Sequence, residues 1–210
     1  MRDNESMPLA RSSRYGVVTL VMASMLVVGC AEPAGEATVA EADQTAHEDL
    51  VARGEYLVMV GGCNDCHTPM IMGPNGPEFD TTRTLSGHPE DRYVGPEMTI
   101  PAEAGIWMWA PHNTSFVTPA GVAYAFNLTP DENTGIGIWT EEIFIQTLRT
   151  GKHWGVARDI LPPMPWFNYG KMPEEDLKAI WAYLRTLPPI SNRVPDAVPM
   201  APPPVTASAG

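Results

Sequence analysis

Cys63-Asn64-Asp65-Cys66-His67 sets two thiols at Cys-x-x-Cys spacing with a histidine directly after the second. That spacing lets both sulfurs add to the two vinyl groups of one haem while the adjoining imidazole is held against the iron. Cys63, Cys66 and His67 therefore form one candidate attachment site, with His67 as proximal ligand. A zinc knuckle needs a second ligand pair, and a thioredoxin-like redox pair follows a strand; neither context surrounds these residues. A small disulfide or a chance match are the remaining alternatives. The chain has 3 cysteines and the motif occurs once, so one covalent haem c is expected.

Outward from the motif, Leu50, Val51, Gly54, Tyr56, Leu57, Val60 and Gly61 recur at helical spacing just ahead of it, and Gly61-Gly62 can end that helix. Gly54 on the inner face predicts close approach by a second helix. Its expected partner is 173–187, where Pro173 suits a helix start, Glu174, Glu175 and Asp176 complement the helix dipole, and Leu177, Ile180, Trp181 and Leu184 form an apolar stripe. A third helix is predicted over 140–150, capped by Thr140 and ended by Gly151, with Ile143, Phe144, Thr147 and Leu148 facing inward. Between Thr68 and Thr129 no long period is present; Trp107-Met108-Trp109 and 122–128 are readable as a local hairpin or as packed loop. Three helices and long loops are the coarse expectation.

The second axial position has several candidates. Leu161-Pro162-Pro163-Met164-Pro165-Trp166 holds one methionine among prolines, which fix the backbone and remove main-chain donors, and it lies between the last two helices. Met164 is the expected sixth ligand; a methionine filling a core gap is the alternative. His88 and His112 read as exposed turn residues, and His153 follows a helix C-terminus where a cation is favourable; each is a rival ligand. His47 reads as a solvated linker histidine. Asn127, Trp139 and Arg149 are candidate donors to the haem propionates.

The beginning of the chain reads as an export signal. Arg11 and Arg14 precede an apolar run that ends Leu26-Val27-Val28-Gly29-Cys30, too short for a comfortable membrane span, and Met7 offers a second start. This end resembles a bacterial lipoprotein signal, with Cys30 as the lipidated residue after cleavage of 1–29; an ordinary cleavage that leaves Cys30 incidental is the alternative. Residues 30–47 read as a disordered tether; 31–46 within it are rich in alanine and glutamate and, as about sixteen flexible residues, reach roughly 20 Å. A folded domain is expected over 48–194 and a proline-rich disordered tail over 195–210. The 210-residue chain holds 22 prolines and 18 glycines, which agrees with many loops. Its formal charge of -12 opposes binding to nucleic acid or to an anionic membrane, and favours a basic partner surface.

From Gly54 to Pro195 the chain resembles the monohaem class I cytochrome c modules of cytochrome subunits in bacterial periplasmic dehydrogenases. The resemblance is carried by 62–69, by Leu85-Ser86-Gly87-His88-Pro89, by Asn127-Leu128-Thr129-Pro130-Asp131, by 134–140, by Pro162-Pro163-Met164-Pro165 and by Tyr183-Leu184-Arg185. It implies an all-α class I cytochrome c fold with a long irregular insertion between the haem motif and the third helix. It also implies a non-enzymatic carrier in the periplasm of a Gram-negative bacterium, passing single electrons between a dehydrogenase or quinol-oxidising complex and a terminal acceptor, a downstream cytochrome or oxidase. Alcohol dehydrogenase cytochrome subunits of that group carry several haem motifs, whereas this chain carries one. Ala31 after the cysteine leans toward the outer membrane. A five-coordinate haem acting as peroxidase or gas sensor is the alternative if Met164 only packs, and a haem-free lipoprotein is a third reading.

Overall fold

The structure, a computed structural model, describes residues 39–92, 107–109 and 112–200. The expected signal 1–29 and Cys30 lie outside them.

Helix α1 spans Val39–Val60, so residues 39–47 of the expected tether are helical and ordered structure begins ahead of Glu48. The composition accounts for this: alanine, glutamate and glutamine are good helix formers, and a helix nucleated by its docked second half extends backwards at one hydrogen bond per residue. That first half stays exposed, and burial is confined to Gly54, Leu57 and Val58. Five residues, Cys63–His67, form α2.

The predicted helix pair is present. Helix α3 covers Glu141–Thr150, with the Thr140 hydroxyl accepting from Ile143 N and Gly151 closing it in the left-handed conformation at φ 68. A short α4, Trp166–Tyr169, leads to α5, Glu174–Thr186, whose buried side is Leu177, Ala179, Ile180 and Leu184. At the α1–α5 crossing a Cβ on Gly54 would overlap the Ala179 carbonyl and stand 2.8 Å from Tyr183 Cβ. Arg53 seals the edge of this crossing with bonds of 3.0 and 3.2 Å to the Asp176 carboxylate. Tyr56, read at the same helical spacing as Gly54, is 51% exposed beneath the Arg53 guanidinium. It lies two residues past Gly54, roughly 200° around the helix.

The all-α expectation is corrected by the segment between the motif and α3. It contains a hairpin, β1 Met70–Gly73 with β2 Gly76–Phe79, and the strands β3 Met108–Trp109, β4 Ser115–Thr118 and β5 Gly121–Tyr124. With β6, Val198–Pro199, the last three form an antiparallel sheet in the order β3-β4-β5-β6. The fold is therefore mixed α/β, with helices as its larger part. These strands have at most four residues each, and β4 is buried along its whole length, so neither length nor alternation announces them. Strand β6 falls in the expected disordered tail, where its pairing to Gly121 and Val122 orders the backbone; Pro199, lacking an N–H, suits an edge.

Pleating gives this sheet two uses. Phe116 and Ala123 are cross-strand partners and line the main cavity; the next pair, Val117 and Val122, points the other way onto Val198. The segment after α5 is pinned by Asn192, which is fully buried. Its amide donates to the Ser86 and His88 carbonyls at 2.7 and 2.9 Å, and its oxygen accepts from Arg83 and from Glu90 N. Asn127 does the same one layer away, donating to Ile190 O at 2.8 Å and accepting from Thr129.

Candidate functional site

Gly62, in the left-handed conformation at φ 68, turns the chain from α1 into α2, whose Cys63, Cys66 and His67 line a cavity. His67 is buried, and its Nδ1 lies 2.7 Å from the Phe126 carbonyl. A carbonyl only accepts, so the ring proton sits on Nδ1 and the Nε2 lone pair is left for a metal. Burial lowers the pKa of His67 below the ordinary histidine value, which keeps the ring neutral as ligation requires.

Neighbouring backbone fixes this ring from behind. Gly87 N donates to His67 O at 2.8 Å, and a Cβ on Gly87 would stand 2.6 Å from the Phe126 carbonyl carbon, so only glycine fits there. The Thr68 hydroxyl donates to Asn64 Oδ1 and accepts from Leu85 N, both at 2.9 Å. The stretch 85–89, singled out from sequence, thus supports the His67 side of the cavity.

Cys63, Cys66, His67 and Met164 all line one cavity, whose non-atom space including its mouth is about 1280 Å³. Its walls are apolar: Val58 from α1, Phe144 and Leu148 from α3, Ile180 and Leu184 from α5, with Phe116 and Ala123 from the sheet. Cys63 and Cys66 are not joined to each other, and burial pushes the Cys63 thiol up to about 11 and raises Cys66. Among the described residues no group of three or more His, Cys, Asp or Glu side chains is placed to hold a metal ion, so a zinc knuckle finds no second ligand pair.

The methionine segment is held at both ends. Ile160 N donates to Gly151 O at 2.8 Å, the Trp166 indole lies where a Cβ of Gly151 would be, and Arg149 donates to the Gly170 carbonyl. The Tyr169 hydroxyl then bridges to Gly61 O at 2.5 Å, tying α4 to the end of α1 beside the thiols. Nothing in the sequence marks Tyr169 for this, nor the Phe126 carbonyl, because a backbone acceptor leaves no side-chain signature.

The rival histidines separate cleanly. His88 is fully buried rather than an exposed turn residue; one ring nitrogen pairs with the Thr114 hydroxyl and the other with Arg92 O, both at 2.8 Å, so neither is available to a metal. His112 pairs with Met70 O and does not line the cavity. His153 does line it, on a turn where Trp154 takes a left-handed φ of 59, a conformation that costs a non-glycine residue about 1 kcal/mol. Burial first, and then the nearby Arg158 charge, bring its pKa down to about 4, so it is neutral there and not the helix-end cation the sequence suggested. Of the three expected propionate donors, Asn127 is consumed by the internal bonds above and Arg149 by Gly170. Trp139 alone lines the cavity, with its Nε1 buried and without a partner. Two thiols, a neutral imidazole with one free lone pair, an apolar slot and an orphaned N–H at its wall fit a covalent haem.

Similarity to known proteins runs in the same direction. The chain is 32% identical over 145 residues to the gluconate 2-dehydrogenase cytochrome c subunit of Pantoea cypripedii, an alignment covering 68% of this chain and 24% of that protein. The likeness is to cytochrome c subunits of dehydrogenases. The quinone-type alcohol dehydrogenase cytochrome c subunit of Gluconobacter oxydans is 28% identical over 159 residues, 73% of this chain and 25% of its own length. The fructose dehydrogenase cytochrome subunit of Gluconobacter japonicus is 28% identical over 142 residues, 68% of this chain and 22% of its own length. The chain spans about a quarter of the length of these curated relatives. No family model matches it.

Proposed function

We propose that the chain is a single-haem c-type cytochrome that carries electrons for a dehydrogenase and is not itself an enzyme. The carrying observation is that Cys63, Cys66, His67 and Met164 line one apolar cavity while His67 Nδ1 is committed to Phe126 O. Cys63 and Cys66 attach the haem, and His67 and Met164 are its axial ligands. Bound in this way, haem supplies a one-electron couple with no vacant coordination position. The chain's part is to hold the thioether in place through the Gly151, Gly170 and Gly61 anchors, keep His67 neutral, and exclude water with the helix and sheet walls, which raises the potential.

The experiment is a haemochrome count on the purified chain, followed by carbon monoxide titration of the reduced protein beside its Met164→Ala variant. One haem per chain is expected, with no carbon monoxide shift in the parent and a full one in the variant. A shift in the parent would move the assignment to the five-coordinate peroxidase or gas-sensing alternative.

The partners follow from chemistry and from the relatives' names: a dehydrogenase as donor and a downstream cytochrome or oxidase as acceptor, met through a basic surface complementary to the acidic chain. Placement in the periplasm of a Gram-negative bacterium, with signal 1–29 removed and the domain tethered by lipid on Cys30, agrees with haem attachment outside the cytoplasm. No helix among the described residues is long and apolar enough to cross a membrane. Cys30→Ser is expected to move the protein from the membrane pellet to the supernatant after fractionation; a variant that still sediments rules out this anchor.

A further inference from the structure

His88 is a fully buried titratable group that the haem reading does not use. Its ring fastens two stretches of chain together: Nε2 lies 2.8 Å from the Arg92 carbonyl and Nδ1 lies 2.8 Å from the Thr114 hydroxyl. A carbonyl only accepts, so the ring proton sits on Nε2 and Nδ1 accepts from Thr114. The main chain beside these two side chains grips one residue of the cavity wall, since His88 N donates to Ala125 O and Ala125 N donates to Thr114 O, both at 2.8 Å. Ala125 lines the cavity, and the carbonyl of the next residue, Phe126, is the one that takes the His67 Nδ1 proton.

Both bonds of this ring need its neutral form. A second proton on Nδ1 would turn the acceptor into a donor aimed at a hydroxyl that is donating to it. It would also bury a charge where, among the described residues, neither ring nitrogen has a carboxylate partner. Of the groups facing His88 from neighbouring segments, Arg83 and His112 oppose that charge; Asp91 favours it but is 68% exposed beside Arg92. The Glu90 carboxylate is turned to Arg193 N, and the Tyr124 ring lies at 5.0 Å. Burial above all holds the His88 pKa below the ordinary histidine value, with His112 and Arg83 adding to it against the Arg92 carbonyl and Asp91. We propose that His88 is a positioning residue and an acid-sensitive latch: neutral, it ties Thr114 to Arg92 and keeps the Phe126 carbonyl on His67; protonated, it releases Thr114 and loosens that carbonyl. The latch stands on its own geometry, and its effect on iron rests on the haem reading above. The sign follows from the lowered value. An unfolded chain takes up the proton near about pH 6.5, the folded chain only at lower pH. The stability that His88 contributes is therefore complete above about pH 6.5 and is lost as pH falls toward the folded value, by up to about tenfold in the unfolding constant per pH unit.

The test uses the haem-loaded chain and its His88→Gln and His88→Phe variants, unfolded in urea and titrated for midpoint potential from about pH 8 to about pH 5, across the histidine range. Glutamine offers one N–H and one oxygen and does not titrate; phenylalanine offers neither. His88→Gln is expected to take one proton out of the pH dependence of unfolding, so that its unfolding constant climbs up to about tenfold less per pH unit than the parent's. It should keep the parent's potential at neutral pH and lack the parent's rise in potential at the acid end. His88→Phe should lose the same proton, be less stable throughout and have a raised potential at every pH, because an imidazole whose Nδ1–H has lost its acceptor is a weaker donor to ferric iron. A glutamine variant with the parent's pH dependence of unfolding overturns the latch, and a phenylalanine variant with the parent's potential overturns the positioning role. If the phenylalanine chain does not fold, the glutamine chain decides both, since a potential that still rises with acid as the parent's does contradicts the proposal. The unfolding measurement reads the protein itself. A chain that takes up no haem therefore refutes the haem reading, while the latch still stands or falls on the pH dependence.

Discussion

Cys63→Ala with Cys66→Ala, expressed with a haem-attachment system, should lose haem staining on a denaturing gel to background, while each single variant keeps one thioether and a reduced signal. Noncovalent haem does not survive denaturation, so the readout isolates the two sulfurs from the proposed iron ligands. The thiols line the cavity and are not consumed in a disulfide, and burial holds them protonated, which protects them from oxidation until they react. The double variant should also unfold at lower denaturant concentration than the loaded parent. An apolar cavity of this size without its filling forfeits the contacts its walls would make. Staining that persists in the double variant would place the attachment elsewhere.

The second large effect is at the helix crossing. Gly54→Ala would gain about 1 kcal/mol in helix propensity, but its Cβ falls on a backbone carbonyl of α5 that has no rotamer to escape into. Overpacking costs about 1 to 3 kcal/mol, and this contact belongs at the upper end, so a net loss of about 2 kcal/mol is expected. Gly54→Leu should exceed 3 kcal/mol, a loss typical of severe core disruption. Urea unfolding with both variants checks the sign; an alanine variant as stable as the parent would mean that α1 and α5 slide apart at little cost.

Sequence reached most of the helical frame because helices announce themselves over many residues. Thr140 and Gly151 delimit α3 as expected, and Leu177, Ile180 and Leu184 carry the buried side of α5. Gly54 foretold the crossing, since a glycine inside a helix has few other reasons to be there. The sheet was illegible for the opposite reason: β3 and β6 are two residues long, and β4 is buried on both sides. Cys63, Cys66 and His67 could be named as a group from their side chains, and they do line one cavity. Support through backbone was not, as with the Phe126 carbonyl and Gly87. His88 was misplaced because the Gly-His-Pro string looks like a turn, and nothing local tells that Thr114 and Arg92 will close over it.

Arg53 and Asp176 meet across 123 residues, and Asn192 reaches back 106 residues to Ser86. Contacts this distant in sequence carry a large loop-closure entropy and form late in folding. A chain threaded out from its N-terminus exposes Cys63 and Cys66 long before α5 emerges to add Ile180 and Leu184 to the wall of their cavity. The order of emergence therefore leaves a time window in which the thiols can be reached from outside, and the last few dozen residues end it.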